Sequence, residues 1–311
     1  MKKMALVLWL VVALLGAALS AEARDVVLRY NYLPGESRTY GMGLTGTGTV
    51  SVLGVPSPLE FSFDSAVTQN CTGVKDDGAM ELEMVSSPPT ASVSLAGEPL
   101  GVDLFAAEET PMSLLLYPDG RVEIPEGATS PAKGTFAFLG IQLDPYQLAK
   151  AATSTLLPEE PVSEGKQWVR EVDVPFPAGK TAKMTVTSTL SGFQEKEGVD
   201  CVVLDTDFSF PFSLDFTGLG IALEGWATGK IREFATVEQM KTIEQTGEMS
   251  LSLSSPAGEQ TGEEDPMAQL GVSAVEATIN ASFNLHLLEL GSPPPPPEFT
   301  PPAPAESGPP A

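Results

Sequence analysis

Histidine occurs once in the 311 residues, at His286, and cysteine twice, at Cys71 and Cys201. One imidazole and two distant thiols leave no Cys/His zinc cluster, no Cys-His pair and no Ser-His-Asp spacing, so the sequence offers no metal ligands and no catalytic residues of those kinds. His286 alternates outward with Asn280, Ser282 and Asn284, a surface placement on the less apolar side of a strand. Basic residues are scarce as well: 17 Lys and Arg stand against 41 Asp and Glu, a formal charge of −24 spread along the sequence. Such a bias repels nucleic-acid phosphates and anionic headgroups, which excludes nucleic acid as a partner. The one uninterrupted apolar run, Ala5 to Leu19, is short for a membrane span.

That run has a meaning of its own. Lys2 and Lys3 precede it and Ala21-Glu22-Ala23 follows it, giving the charged start, apolar middle and small-x-small end of a secretory signal peptide over residues 1–23. The mature chain is therefore expected to be exported, to a periplasm, a cell surface or the medium.

Period-two alternation fills most of what remains. Tyr40, Met42, Leu44, Val50 and Val52 alternate with Thr39, Thr45, Thr47, Thr49 and Ser51, one apolar and one hydroxyl face of a strand. Leu114 to Ile124, with Pro118-Asp119-Gly120 in the middle, reads as a hairpin. Met184, Val186 and Leu190, then Met249, Leu251 and Leu253, then Ile279 to Leu287 repeat the pattern. The fold class is mainly β: a large curved antiparallel sheet or half-barrel. One helix is predicted, with Asp144 as N-cap, Pro145 at its first position, Tyr146, Leu148, Ala149, Ala152 and Leu156 near helical spacing, and Pro158 as its stop.

Two stretches echo each other. Val67 to Gly73, Lys75 to Gly78 and the run from Met80 match Val186 to Gly192, Glu195 to Gly198 and the run from Val199, each after a Gly and an aromatic, Gly35 with Tyr40 and Gly165 with Trp168. The β region 24–290 is then either one unit or two related halves, 24–130 and 160–290, joined by a hairpin and helix segment. From residue 291 to 311 the composition changes, with ten prolines among Ser292 to Ala311. This tail is expected to be extended and disordered, a spacer or a docking arm for an envelope protein. Ser255 to Gln269 reads as an acidic loop between the last strands.

Carboxylate clusters at Asp76-Asp77, Glu159-Glu160 and Glu263-Glu264-Asp265 lie beside Gly or Pro in turns and lack calcium-loop spacing. Asn70-Cys71-Thr72 and Asn280-Ala281-Ser282 fit the glycosylation triplet but fall within strands. Cys71 and Cys201 are the candidate disulfide of an exported chain, although strand parity sets them on different sides: Cys71 is in step with Leu59, Phe61, Phe63 and Val67, while Cys201 is out of step with Val202, Leu204, Phe208 and Phe210. The most unusual stretch is Phe208 to Phe216. Phe208, Phe210, Phe212, Leu214 and Phe216 share one face, and Pro211 suggests an edge strand. These residues, with Tyr146, Leu148 and Ala152 of the helix, are either ordinary core or the walls of an apolar ligand cavity. Met80, Met84, Met112, Met184, Met240 and Met249 would suit adaptable walls.

Leu28-Arg29-Tyr30, Pro34-Gly35 and Tyr40, then Leu157-Pro158, Pro161-Val162, Gly165 and Trp168, then Leu190, Gly192, Gly198 and Cys201 resemble a pattern of exported bacterial proteins of uncharacterised families. Those families are similar in outline to periplasmic lipoprotein carriers, in which a half-barrel sheet wraps an apolar cavity closed by several helices; this chain offers one. The resemblance implies a non-catalytic protein without cofactors that binds a lipid, acyl chain or lipoprotein in the envelope. It carries over no functional residue. The alternative from the residues alone is an envelope structural or protein-interaction module.

Overall fold

The computed structural model describes residues 24–52, 54–99, 111–125, 156–175, 181–216, 221–255 and 275–291. Among them thirteen strands form one antiparallel sheet that does not close. In chain order they are β1 (Ser37–Val52), β2 (Val55–Val74), β3 (Met80–Ser86), β4 (Thr90–Leu95), β5 (Glu98–Pro99), β6 (Met112–Leu116), β7 (Val122–Glu123), β8 (Gln167–Pro175), β9 (Thr181–Lys196), β10 (Val199–Phe216), β11 (Ile221–Thr236), β12 (Thr242–Ser254) and β13 (Val275–Gly291). Across the sheet the order is β7-β6-β3-β2-β1-β13-β12-β11-β10-β9-β8, with β4 beside the first part of β2 and β5 beside β4. The crossing from β1 to β13 joins the two ends of the chain's β region at the middle of the sheet. The signal-like segment and the proline-rich tail lie outside the described residues.

Alternation sets the register. Leu44 pairs with both Phe63 and Phe283, Ile279 with Gly48 and Leu251, and Gly229 with Phe208 and Met249, so the apolar residues of neighbouring strands fall on one face. Thr45, Thr47 and Thr49 fall on the other beside Ser282, Asn280 and Thr278. The Pro118-Asp119-Gly120 hairpin forms as expected between β6 and β7, with Gly120 at φ 87° and the Asp119 carboxylate accepting from Arg121 N at 3.0 Å.

The segment before β1, residues 24–36, holds the two ends of the sheet order together. Val26 exchanges two 2.9 Å hydrogen bonds with Val162, Tyr30 N donates to Pro118 O at 2.9 Å, and Asn31 N donates to Gln239 O at 3.2 Å. Arg29 Nη1 reaches Pro158 O at 2.6 Å, and Leu157 N donates to Asp119 O at 2.8 Å. One short strap thus touches turns from both sides of the sheet, which must curl around it. Two cores result. Val26, Leu28, Leu157, Val162, Trp168, Leu190, Val202, Leu204, Ala235 and Met240 form one, and Tyr32, Cys71, Met80, Leu82, Leu114, Leu116 and Val122 the other; Tyr30 packs against both.

Arg38 is the largest fully buried side chain among the described residues, at 1% exposure. It survives burial because every side is matched: Nε donates to Glu36 Oε1 at 2.7 Å, Nη2 to Asn31 O at 2.8 Å, and the guanidinium lies 3.4 Å from the centre of the Tyr32 ring. The Tyr32 hydroxyl donates in turn to Gln69 Oε1. Burial pushes the Tyr32 and Tyr40 phenols above their ordinary range, so both stay neutral around the cation.

The repeated sequence pattern corresponds to repeated geometry. Gly35 (φ 80°) and Gly165 (φ 81°) occupy matching turns, and each donates its N–H at 2.7 Å, to Cys71 O and to Leu190 O respectively. Cys71 N answers by donating to Glu36 O at 2.9 Å, and Leu190 N by donating to Lys166 O at 3.1 Å. The partner strands also bulge at matching places, at Thr72 in β2 and at Ser191 in β9. β1-β2-β3 and β8-β9-β10 thus share one arrangement of turn, returned hydrogen bond and bulge, and run in the same direction across the sheet.

Two expectations need correction, and one lies outside the described residues: Tyr146, Leu148 and Ala152 of the expected helix fall there, and from Leu156 to Pro158, where that helix should stop, the described chain is not helical, with Leu157 drawn into the core and bonded to the β6–β7 turn. β10 is not an edge strand over most of its paired length: it lies between β9 and β11, and only beyond Ser209, where pairing with β9 ends, does it become the exposed edge that Pro211 requires. Cys71 and Cys201 do not pair. They are separate buried thiols on β2 and β10, donating to Gly73 O at 3.4 Å and Val199 O at 3.5 Å, and burial pushes both above the ordinary thiol range. Alkylation of the folded protein is expected to label neither, and unfolding without reductant to release both; one disulfide in the native mass spectrum would contradict this.

Candidate apolar ligand face

The apolar face extends from β4 through β2, β1, β13, β12 and β11 to β10 and β9. Leu59, Leu253, Ala277 and Ala281 are buried, but most of the large side chains, among them Leu44, Phe61, Phe63, Phe208, Phe210, Ile231, Met249, Leu251, Ile279, Phe283, Leu285 and Leu287, are only half-buried. The fully packed cores lie at the strap end.

Strand glycines decide how the rings lie. Gly46, Gly229 and Gly247 are the register partners of Phe61, Phe208 and Phe283. A Cβ at Gly46 would stand 2.2 Å from Phe61 Cζ, one at Gly229 2.3 Å from Phe208 Cζ, and one at Gly247 2.3 Å from Phe283 Cε1. Each ring therefore lies down over a bare stretch of the neighbouring backbone, covering hydrogen-bonded peptide that a glycine would leave open. Phe208 and Phe210 stack at 6.4 Å with 24° between planes. The face is paved with rings rather than studded with them.

The predicted stripe lies in this surface. Phe208 and Phe210 are half-buried on it, opposite Gly229 and Ala227. The backbone places Phe212, Leu214 and Phe216 at the next positions of the same face, opposite Gly225, Leu223 and Ile221. Sequence reasoning missed Phe61, Phe63 and Phe283 as members, because their assembly with Phe208 depends on β1 meeting β13, and it missed the glycine seats, whose signal is a Gly on the apolar parity of its strand.

One ionisable group intrudes. Glu233 is 5% exposed, lies on the apolar face opposite Leu204 and Gln245, and accepts a 2.6 Å hydrogen bond from the Thr242 hydroxyl. Burial raises its pKa, and the Thr242 bond offsets only part of that. A carboxyl with a raised folded pKa adds most to stability below the unfolded carboxyl range and loses that contribution as pH rises through the folded value. Glu233→Gln keeps an acceptor for Thr242 and cannot ionise. The variant is expected to unfold at higher urea than the parent at about pH 8, with the gap closing towards about pH 4; an equal gap at both would contradict the assignment. Among the described residues no three His, Cys, Asp or Glu side chains gather as a metal site.

No protein-family model and no curated protein matches the chain. Among solved structures it is similar to lipovitellin, in a study of lipid–protein interactions, with a TM-score of 0.48 and 12% identity over 86% of this chain and 26% of that one. It thus spans about a quarter of the lipovitellin chain. DynF of the dynemicin biosynthesis pathway of Micromonospora chersina gives 0.21 and 11% over 86% and 88%, and a DUF1329 family protein of Desulfovibrio piger 0.15 and 8% over 79% and 85%.

Proposed function

We propose that this is an exported, non-catalytic protein that binds an apolar or amphipathic ligand, such as a lipid or an acyl chain, against the ring-paved face of its sheet. The observation that carries the reading is the half-buried apolar face itself, continuous across neighbouring strands and floored by Phe rings on glycine seats. Monomeric soluble proteins rarely leave a contiguous apolar patch of more than a few hundred Å² exposed unless something binds there. Strand alternation keeps the middle of that face free of charge apart from the buried Glu233, with Arg38, Arg170 and the Asp200–Glu195 pair at its margins, while the acids and bases of β10 to β12 otherwise gather on the opposite side. The signal-like start of the chain supports export, and a scarcity of cations suits a neutral ligand better than an anionic one.

Titration with a fluorescent diacylglycerol tests this. Saturable binding is expected, weakened at least about tenfold by Leu285→Glu on the half-buried apolar face and unchanged by Thr278→Glu on the exposed polar face. No saturable binding, or equal loss in both variants, would remove the reading.

A further inference from the structure

The opposite face of the sheet carries its own pattern. Trp226 is 60% exposed there, on β11 between Pro211 of β10 and Ser252 of β12. Indole is among the costliest side chains to leave in water, and the other described tryptophan, Trp168, is 8% exposed. Towards Thr228 and across β12 and β13 the neighbours of Trp226 are uncharged: Thr228, Ser250, Ser252, Thr278, Asn280 and Thr47 occupy adjoining register positions and are exposed, while Glu224, two residues before Trp226 on β11, puts one exposed carboxylate on its other side. Further charges lie one step along the strands, where Arg232 clamps Asp205 with bonds of 2.7 and 2.8 Å and Lys230 stands 3.9 Å from Asp207. Those pairs and Thr45 line an open groove of about 730 Å³ that adjoins the hydroxyl field.

We infer that this face binds an uncharged polysaccharide, with a sugar ring stacked on Trp226 and its hydroxyls bonded to the Ser, Thr and Asn field. A pyranose has an apolar C–H face that suits an exposed indole and a rim of hydroxyls that act as donor and acceptor, as do the Ser and Thr hydroxyls around Trp226. The arrangement disfavours polyanions by the charge of the chain. Along β11, Trp226 and Lys230 are about 13 Å apart at strand rise, so a chain of several sugars would reach from the indole into the groove. The site is on the other side of the sheet from the apolar face, and the two readings stand or fall separately.

The mature protein is suited to a direct test because Trp168 is buried and Trp226 is exposed. In the Trp168→Phe variant, fluorescence reports Trp226 alone. Titration with cello-, chito- and maltooligosaccharides is expected to shift and saturate that emission for at least one series. In a calorimetric titration with the same sugar, Trp226→Ala should weaken binding at least about tenfold, while Trp226→Phe, which keeps a stacking ring, recovers part of the loss. Leu285→Glu on the apolar face should leave sugar binding unchanged. No response to any series, or equal affinity in Trp226→Ala, overturns the inference. A concentration-dependent dimer that Trp226→Ala abolishes, with no sugar response, would assign the face to self-association and overturn it as well.

Discussion

Replacing Arg38 by methionine is expected to destabilise the protein by about 3–5 kcal/mol, read as a fall in the urea midpoint at unchanged slope. Methionine fills much of the same volume, so the loss is not mainly a cavity. It comes from Glu36, 5% exposed, which would keep a buried carboxylate with only Leu33 N, at 2.9 Å, to satisfy it. The Tyr32 ring would lose the cation over its face and Asn31 O its donor. Adding Glu36→Gln to Arg38→Met should restore part of the stability, because the unpaired charge goes with it. Arg38→Lys should recover little, since an ammonium cannot bond Glu36 and Asn31 in a fork and lie flat on Tyr32 together. Because residues 24–36 tie both cores, the variant should also show faster amide exchange in both cores. A loss of under about 1 kcal/mol would mean that the cluster is incidental to the strap.

The second large effect is expected at Gly229. A methyl there meets Phe208 Cζ at 2.3 Å and the Glu248 carbonyl at 2.6 Å, so either the ring or the backbone must move. Gly229→Ala should cost about 1–3 kcal/mol, as overpacking does. The ring can lift while the carbonyl cannot, so Phe208→Ala in the same chain should relieve only part of the strain. The coupling between the two changes, measured by a double-mutant cycle, should be clearly different from zero. Additivity would mean that the ring does not rest on the glycine. Lifting the ring also roughens the apolar face, so Gly229→Ala should weaken diacylglycerol binding while the more distant Gly73→Ala leaves it intact.

Much of the sheet was legible because period two is a local signal. Tyr40, Met42 and Leu44 declare their face without any partner, and Pro118-Asp119-Gly120 declares its turn. The two matching turns were legible in the spacing of Gly35 and Gly165 to their strands, which follows from the left-handed turn each glycine makes. What was not legible depends on long-range meeting. Arg38 reads as an exterior charge until Asn31, Tyr32 and Glu36 are seen folded over it, although its even parity with Tyr40 was a hint. The strap has no periodicity of its own, since it bonds to turns rather than to a ladder. The edge character of β10 was right at Pro211 and wrong for Val202 to Phe208, because a proline reports only its own missing donor. The Phe stripe was read within β10 alone; its extension to Phe61 and Phe283 needed the β1–β13 junction.

The central claim is that the ring-paved face holds an apolar ligand. Its most direct test is mass spectrometry of an organic extract of the protein purified from its native host, with Leu285→Glu purified in parallel. The account predicts a lipid species in near-stoichiometric amount with the unaltered protein and much less with the variant at equal folded fraction. No lipid above that carried by an unrelated acidic protein put through the same purification would contradict it.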